Sequence, residues 1–200
     1  MTNLIQSPKR PRKVPEYLIK EILDGKPVYY KGYRTVMFGD KKLEDIMGAS
    51  SLQALIISYI QRILWKFLSE DDYFVFSGEP GLHLEHRNNL SGDLIVYKAE
   101  QLTKFDKHYF QSAPLLQIEV DVEIDNTNFT DNEYLTKKTQ KLLDFGVQRV
   151  IWVLTPTRTV IVAEPDQDWR IINWNKEILL LNDIMMNIGA YLAKMNVELE

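Results

Sequence analysis

The sequence predicts an α/β (α+β) fold, a mixed sheet flanked by helices, on three observations. Leu52, Leu55, Ile56, Tyr59, Ile60, Ile63, Leu64 and Phe67 recur at helical spacing. Short apolar or alternating runs of strand length then follow one another between Tyr73 and Glu123. A second helical pattern, Asn132–Phe145, leads into the unbroken apolar run Val150–Leu154, which reads as a buried strand. Helix, strands, helix and buried strand in this order suit a sheet with mixed strand directions.

The elements are read in chain order. Residues 1–14, with the basic, proline-broken run Lys9, Arg10, Pro11, Arg12 and Lys13, read as a tail. Asp24-Gly25 and Lys31-Gly32 are turn signals around Val28–Tyr30 and Thr35–Phe38, both read as β-rich. Ser50 and Ser51 are the N-cap candidates of the first long helix. Strands are expected at Tyr73–Phe76, Leu82–His86, Leu94–Tyr97 and Leu115–Glu123. The second helix ends at Gly146, a residue suited to the left-handed position after a helix. Thr159–Ala163 and Trp169–Asn173 read as a hairpin, and Asp183–Lys194 as a closing helix packing Ile184, Met185, Ile188, Tyr191 and Leu192.

Composition narrows the function. The 200 residues are 45% hydrophobic, enough for one sizeable core. There is no Cys, which excludes disulfides, thiolate metal sites and a cysteine nucleophile, and suits the cytoplasm. No apolar run reaches the ~18 residues of a membrane span. The net charge of −4 lacks the basic excess of a dedicated duplex binder, so any nucleic-acid role rests on a local patch or a second subunit. His83 and His86 have opposite strand parity and do not pair as zinc ligands. Tyr29, Tyr30 and Tyr33 are candidates for base stacking, though packing within a hairpin accounts for them more simply.

The chemistry concentrates in two places. On a strand Leu115–Glu123, Leu116, Ile118, Val120 and Val122 make one apolar face, while Gln117, Glu119, Asp121 and Glu123 make the other. Carboxylates at period two stand roughly 7 Å apart and repel, which a divalent cation relieves. A solvated edge strand is the simpler explanation of that face taken alone. Asp93, at the mouth of the apolar run Leu94–Tyr97, adds a carboxylate that is costly to bury unless paired, capped or metal-bound. If the two strands are neighbours, Asp93 and Glu119 converge. On the second helix, Lys138 falls inside the apolar arc of Tyr134, Leu135, Leu142 and Phe145, where its ammonium either snorkels to solvent or sits beside the carboxylates.

With Glu21–Gly25 (EILDG), Gly92–Val96 (GDLIV), Leu116–Asp121 (LQIEVD), Lys138 and Gly146–Leu154 (GVQRVIWVL) in this order, the chain resembles the Uma-type family of restriction-endonuclease-like proteins. That family belongs to the PD-(D/E)xK nuclease superfamily. The resemblance runs from about Tyr17 to Leu192 and implies one restriction-endonuclease-like domain over residues 15–200. It implies a Mg²⁺-dependent endonuclease (Mn²⁺ as a substitute) acting on nucleic acid, DNA before RNA, as a homodimer. Asp93 and Glu119 match the metal-binding residues, the Val120 carbonyl is a further ligand, and Asp121 aids them. Lys138 is the candidate lysine, because Glu123 stands where a D-x-K motif has its lysine. Gln53 stands where the family often has histidine, and Gly92 where it has proline, a change of little chemical weight. Glu21 matches an acidic position whose role the sequence leaves open. The alternative is a catalytically inactive member serving as a dimeric or partner-binding module.

Overall fold

The structure, a computed structural model, describes residues 13–199, so most of the basic run at Lys9–Lys13 lies outside the described residues. The first hairpin, β1 (Ile19–Leu23) and β2 (Lys26–Tyr29), turns through Asp24 and Gly25 at φ of 51° and 71°. Two successive left-handed residues are what a tight hairpin requires. Helices α1 (Tyr33–Phe38) and α2 (Glu44–Met47) follow. The expected strand at Thr35–Phe38 is thus helical: Gly32 and Gly39, both left-handed, bracket α1, and Thr35 Oγ1 donates back to the Gly32 carbonyl at 2.7 Å.

Helix α3 (Ser51–Phe67) opens on a capping box, Ser50 Oγ accepting from the Gln53 N–H while Gln53 Oε1 accepts from the Ser50 N–H. Then come β3 (Tyr73–Ser77), β4 (Gly81–Glu85), β5 (Asn88–Ser91), β6 (Leu94–Lys98) and β7 (Leu116–Val120). Helix α4 (Asp131–Phe145) starts on a second capping box at Thr130 and stops at Gly146, φ 112°. Strands β8 (Arg149–Leu154), β9 (Thr159–Ala163), β10 (Arg170–Asn173), β11 (Ile178–Leu181) and β12 (Ile184–Met186) precede α5 (Ile188–Lys194).

The six-stranded sheet runs β10, β9, β8, β7, β6, β3, with β7 and β8 parallel and every other pair antiparallel. It is the mixed sheet the sequence predicts. The parallel pair is joined through α4, the crossover such pairs need. On one face Leu116, Ile118, Val120, Ile151 and Val153 pack under Ile56, Ile60 and Leu64 of α3 and Leu192 of α5. On the other, Ile95, Tyr97, Val150 and Trp152 pack with Tyr134, Leu135 and Leu142 of α4 and with Leu23 and Leu90 of a second sheet. That sheet is four-stranded and antiparallel, in the order β2, β1, β5, β4.

Three further expectations change. The strand from Leu115 ends at Val120, because Asp121 adopts φ 64° and leaves the ladder, so Asp121 and Glu123 do not continue its polar face. Nor is β7 an edge strand: it lies between β6 and β8, buried on both faces. The closing helix is also shorter than expected. Asn182 (φ 51°) folds Ile184–Met186 back on Ile178–Leu181, and α5 begins only where Asn187 Oδ1 caps the Ala190 N–H. Ile184 and Met186 are buried there at strand spacing, leaving Met185 outside.

Candidate active site

The site forms where α4 and the small sheet meet the polar face of β7. In the antiparallel register of β6 and β7, Leu94 is opposite Ile118, which sets Asp93 across from Glu119. The Asp93 N–H donates to the Ile118 carbonyl at 3.1 Å, and Asp93 Oδ2 accepts from the Val120 N–H at 2.7 Å. The two carboxylates therefore converge, as the sequence proposes for neighbouring strands. Val120 is held from the opposite side as well. Gln53 Nε2 donates to its carbonyl at 2.6 Å, so the residue that stands where the family often has histidine is buried at the site.

Lys138 joins them from α4. Its side chain is 1% exposed, and its ammonium lies 2.8 Å from Glu21 Oε1, 3.0 Å from Glu119 Oε1 and 3.1 Å from the Tyr134 hydroxyl. The Tyr134 and Trp152 rings flank it at 5.4 and 5.6 Å from their centroids. Of the two positions the sequence allows this ammonium, it takes the one beside the carboxylates. It donates to Glu21 and to the Tyr134 hydroxyl, and it holds Glu119 as an ion pair.

Glu21 is the residue whose part the sequence left open. From β1 it crosses to α4, its Oε1 accepting from the Ser91 N–H (2.9 Å), the Ser91 hydroxyl (2.8 Å) and Lys138, and its Oε2 from the Tyr134 hydroxyl (2.6 Å). Gln117 closes the ring. Its Nε2 donates to Glu119 Oε1 at 2.6 Å and to the Ser91 carbonyl at 3.0 Å. Gly92 matters here more than its sequence reading suggests, for a Cβ on it would stand 3.0 Å from the Gln117 amide.

Asp121 is not brought in. Its Oδ1 accepts from the Thr155 N–H and its Oδ2 from the Thr155 hydroxyl, both at 2.7 Å, so it ties the end of β7 to the turn after β8. Glu123 lies past the end of the ladder.

Burial sets the electrostatics. It drives the Glu119 pKa up to about 7 against the attraction of Lys138, with the Asp93 and Glu21 charges adding to the rise. Asp93 is also raised, mainly by burial, although its bond from Val120 works the other way. Burial opposes ionisation of Glu21, but the charge and hydrogen bond of Lys138, with the Tyr134 bond, hold its pKa below the usual value. Burial likewise opposes the charged form of Lys138, yet Glu119 and Glu21 outweigh it and lift its pKa well above that of a free lysine. Lys138 and Glu21 are thus an ionised pair, and Glu119 titrates near neutrality beside Asp93.

This donor set fits a hard divalent cation. The Asp93 charge helps raise the Glu119 pKa, a backbone carbonyl lies next to Glu119, and Gln117 Oε1 is a buried acceptor without a donor among the described residues. Mg²⁺ takes one or two carboxylates and fills the rest of its shell with water and substrate oxygens. No group of three or more His, Cys, Asp or Glu suited to a metal occurs among the described residues, which leaves no closed structural metal site there. His83 instead pairs with Asn89 on the surface.

No protein-family model matches the chain, and no curated protein does. A solved structure does: a chain from Anabaena variabilis described as "a putative nuclease belonging to DUF820". The TM-score is 0.61 at 15% sequence identity, over 86% of this chain and 89% of that one. The two share a fold. At that identity the likeness reaches no further than the architecture. No helix among the described residues is long and apolar enough to cross a membrane.

Proposed function

We propose that this protein is a Mg²⁺-dependent endonuclease that hydrolyses phosphodiester bonds of nucleic acid, DNA foremost, with Mn²⁺ able to replace Mg²⁺. One observation carries the reading: a buried, charged lysine aimed at a glutamate that faces an aspartate across two central strands. A lysine is seldom buried without a partner, and this one serves no surface function. The nuclease-type fold supports the same reading by analogy.

Asp93 and Glu119, with the Val120 carbonyl, would hold the cation, which when bound supplies Lewis-acid polarisation of the phosphate and an activated water. Lys138 keeps its proton throughout and places positive charge where negative charge develops as the phosphodiester is attacked. Glu21 and Tyr134 fix the direction of that ammonium. Gln117 orients Glu119, and Gln53 orients the Val120 carbonyl.

The test is cleavage of supercoiled plasmid with Mg²⁺ or Mn²⁺. Asp93→Asn should abolish it and weaken Mn²⁺ binding measured by calorimetry. Metal-replete wild-type protein that leaves DNA and RNA intact removes the reading. A second reading, a non-hydrolysing dimeric or partner-binding module, is favoured by one fact: Lys138 already donates to Glu21 and Tyr134 and is paired with Glu119. It requires metal binding without cleavage.

A further inference from the structure

Beside the site opens a cleft of about 490 Å³ lined by Lys20, Tyr30, Glu79, Gly81, Ser91 and Tyr109, among others. Ser91 and Glu21 form part of its inner wall, so it adjoins the carboxylate–lysine cluster. Lys20 and Glu79 are near enough to act on the Asp93 carboxylate. Lys20 pairs with Glu79 at 3.5 Å and lies 5.9 Å from the Tyr30 ring centroid.

The aromatics of the cleft are placed, not incidental. Of the tyrosine trio in the sequence, Tyr29 and Tyr33 stack on each other at 4.5 Å and 24°, which accounts for both by packing. Tyr30 is left over and lines the cleft. Tyr109 lies against Gly81, where a Cβ would come within 2.6 to 2.8 Å of three of its ring atoms. Only glycine lets the ring settle there. The neighbouring backbone is clamped to β4, Phe110 donating to the Gly81 carbonyl and accepting from the His83 N–H. Although held in this way, Tyr109 is 56% exposed.

We infer that this cleft seats one unpaired nucleotide of the strand to be cut, with a nucleobase on the Tyr109 ring and a flanking phosphate on Lys20. The inference rests on the nuclease reading and narrows it to single-stranded or locally unpaired nucleic acid. Three features favour an unpaired strand over a duplex. A base inside a duplex already has both faces stacked, whereas a free base gains from an exposed aromatic ring whatever its identity. The cleft offers a single lysine, enough for one phosphate. The chain carries a net charge of −4, not the basic excess that the two backbones of a duplex favour. Glu79 competes with the phosphate for Lys20.

Fluorescence anisotropy of a short labelled oligonucleotide, in EDTA so that nothing is hydrolysed, tests this. Single-stranded and duplex forms of one sequence are compared, each as DNA and as RNA. At least one single strand should bind more tightly than its duplex. Tyr109→Ala should weaken that binding about tenfold, Tyr109→Phe should preserve it, and Gly81→Ala should weaken it with the tyrosine still present. Glu79→Gln should tighten binding and Lys20→Gln should weaken it. No binding of any strand, a preference for duplex, or full affinity in Tyr109→Ala overturns the inference. Cleavage of plasmid that Asp93→Asn abolishes and Tyr109→Ala spares, together with unchanged oligonucleotide affinity, would sink the cleft and leave the nuclease standing. Binding as expected, with no hydrolysis in Mg²⁺ or Mn²⁺, would do the reverse.

Discussion

Replacing Lys138 by methionine keeps most of the length of the side chain and its packing against Tyr134 and Trp152 but removes the cation paired with both Glu21 and Glu119. Two carboxylates then face each other in a site that the lysine occupied at 1% exposure. Removing one partner of a buried ion pair costs about 3–5 kcal/mol, because the other charge is left uncompensated. Domains are stable by about 5–15 kcal/mol, so the variant loses a large part of the total. Glu21 keeps three donors, the Ser91 N–H, the Ser91 hydroxyl and the Tyr134 hydroxyl, which limits the damage.

A second substitution sharpens the argument. In the double variant Lys138→Met/Glu21→Gln, the amide oxygen retains the Ser91 donors. The amide nitrogen can donate to the Tyr134 oxygen that the lysine has vacated. No buried charge is stranded at that end, so the double variant should be more stable than Lys138→Met alone by about 1–3 kcal/mol. Urea unfolding of the metal-free proteins at pH 7.5 measures both effects. The deficit of Lys138→Met should also shrink at pH 5. Without the ammonium, burial is left as the largest influence on both carboxylates and should raise both pKa values, so their contribution is expected at low pH and lost as pH rises. Strictly additive single and double variants, or a Lys138→Met protein within about 0.5 kcal/mol of wild type, would refute the placement of the charge.

Two other expectations concern the neighbouring carboxylates. Asp121→Ala should lower stability by about 1–3 kcal/mol, through the lost bonds to Thr155 and a left-handed backbone that Ala tolerates poorly, while Mn²⁺ affinity by calorimetry stays unchanged. A fall in Mn²⁺ affinity would return Asp121 to the metal site. Glu119, pushed up to about 7 from 4.5, favours the folded state below pH 4.5 and loses that contribution as pH rises through 7. Asp93, also raised, acts with the same sign, while Glu21, held low, has its own dependence at more acidic pH. The melting temperature of metal-free protein should therefore fall between pH 5 and 8, and Glu119→Gln should flatten that slope; an equal slope in the variant contradicts the assignment.

What the sequence made legible was local. Alternation in Leu116–Val120 placed Glu119 opposite the apolar face, and helical projection placed Lys138 among Tyr134, Leu135 and Leu142. Both depend on periods of a few residues, which the letters carry directly. Glu21 was harder to read, since its partners stand 70, 113 and 117 residues away and nothing near it requires a buried charge. Its five-residue strand did alternate, Glu21 and Leu23 both turning inward, and that was the available signal. Asp121 misled for the opposite reason. The alternating letters run on past Val120, but the backbone does not, because Thr155 binds the carboxylate and the chain turns left-handed there. Glu119 and Asp121 look alike in period, and what separates them is a residue 34 positions beyond Asp121.

The same turn explains why the lysine comes from a helix. A lysine at position 123, where the D-x-K register would put it, would stand three residues beyond the last rung of β7 and off the face that carries Glu119. Helix α4, joining two parallel strands, has to cross that face, and its first two turns carry Tyr134 and Lys138 over Glu119 and Trp152, which are paired in register on β7 and β8. An ammonium brought in this way has no solvent route, so it needs a second anion, and Glu21 supplies it from the separate four-stranded sheet. The small sheet is therefore part of the site as well as a cover for it. A change in how it packs on α4 would move Glu21, then Lys138, then Glu119, which makes its hairpin and the adjoining cleft the places from which a bound strand could act on the carboxylates.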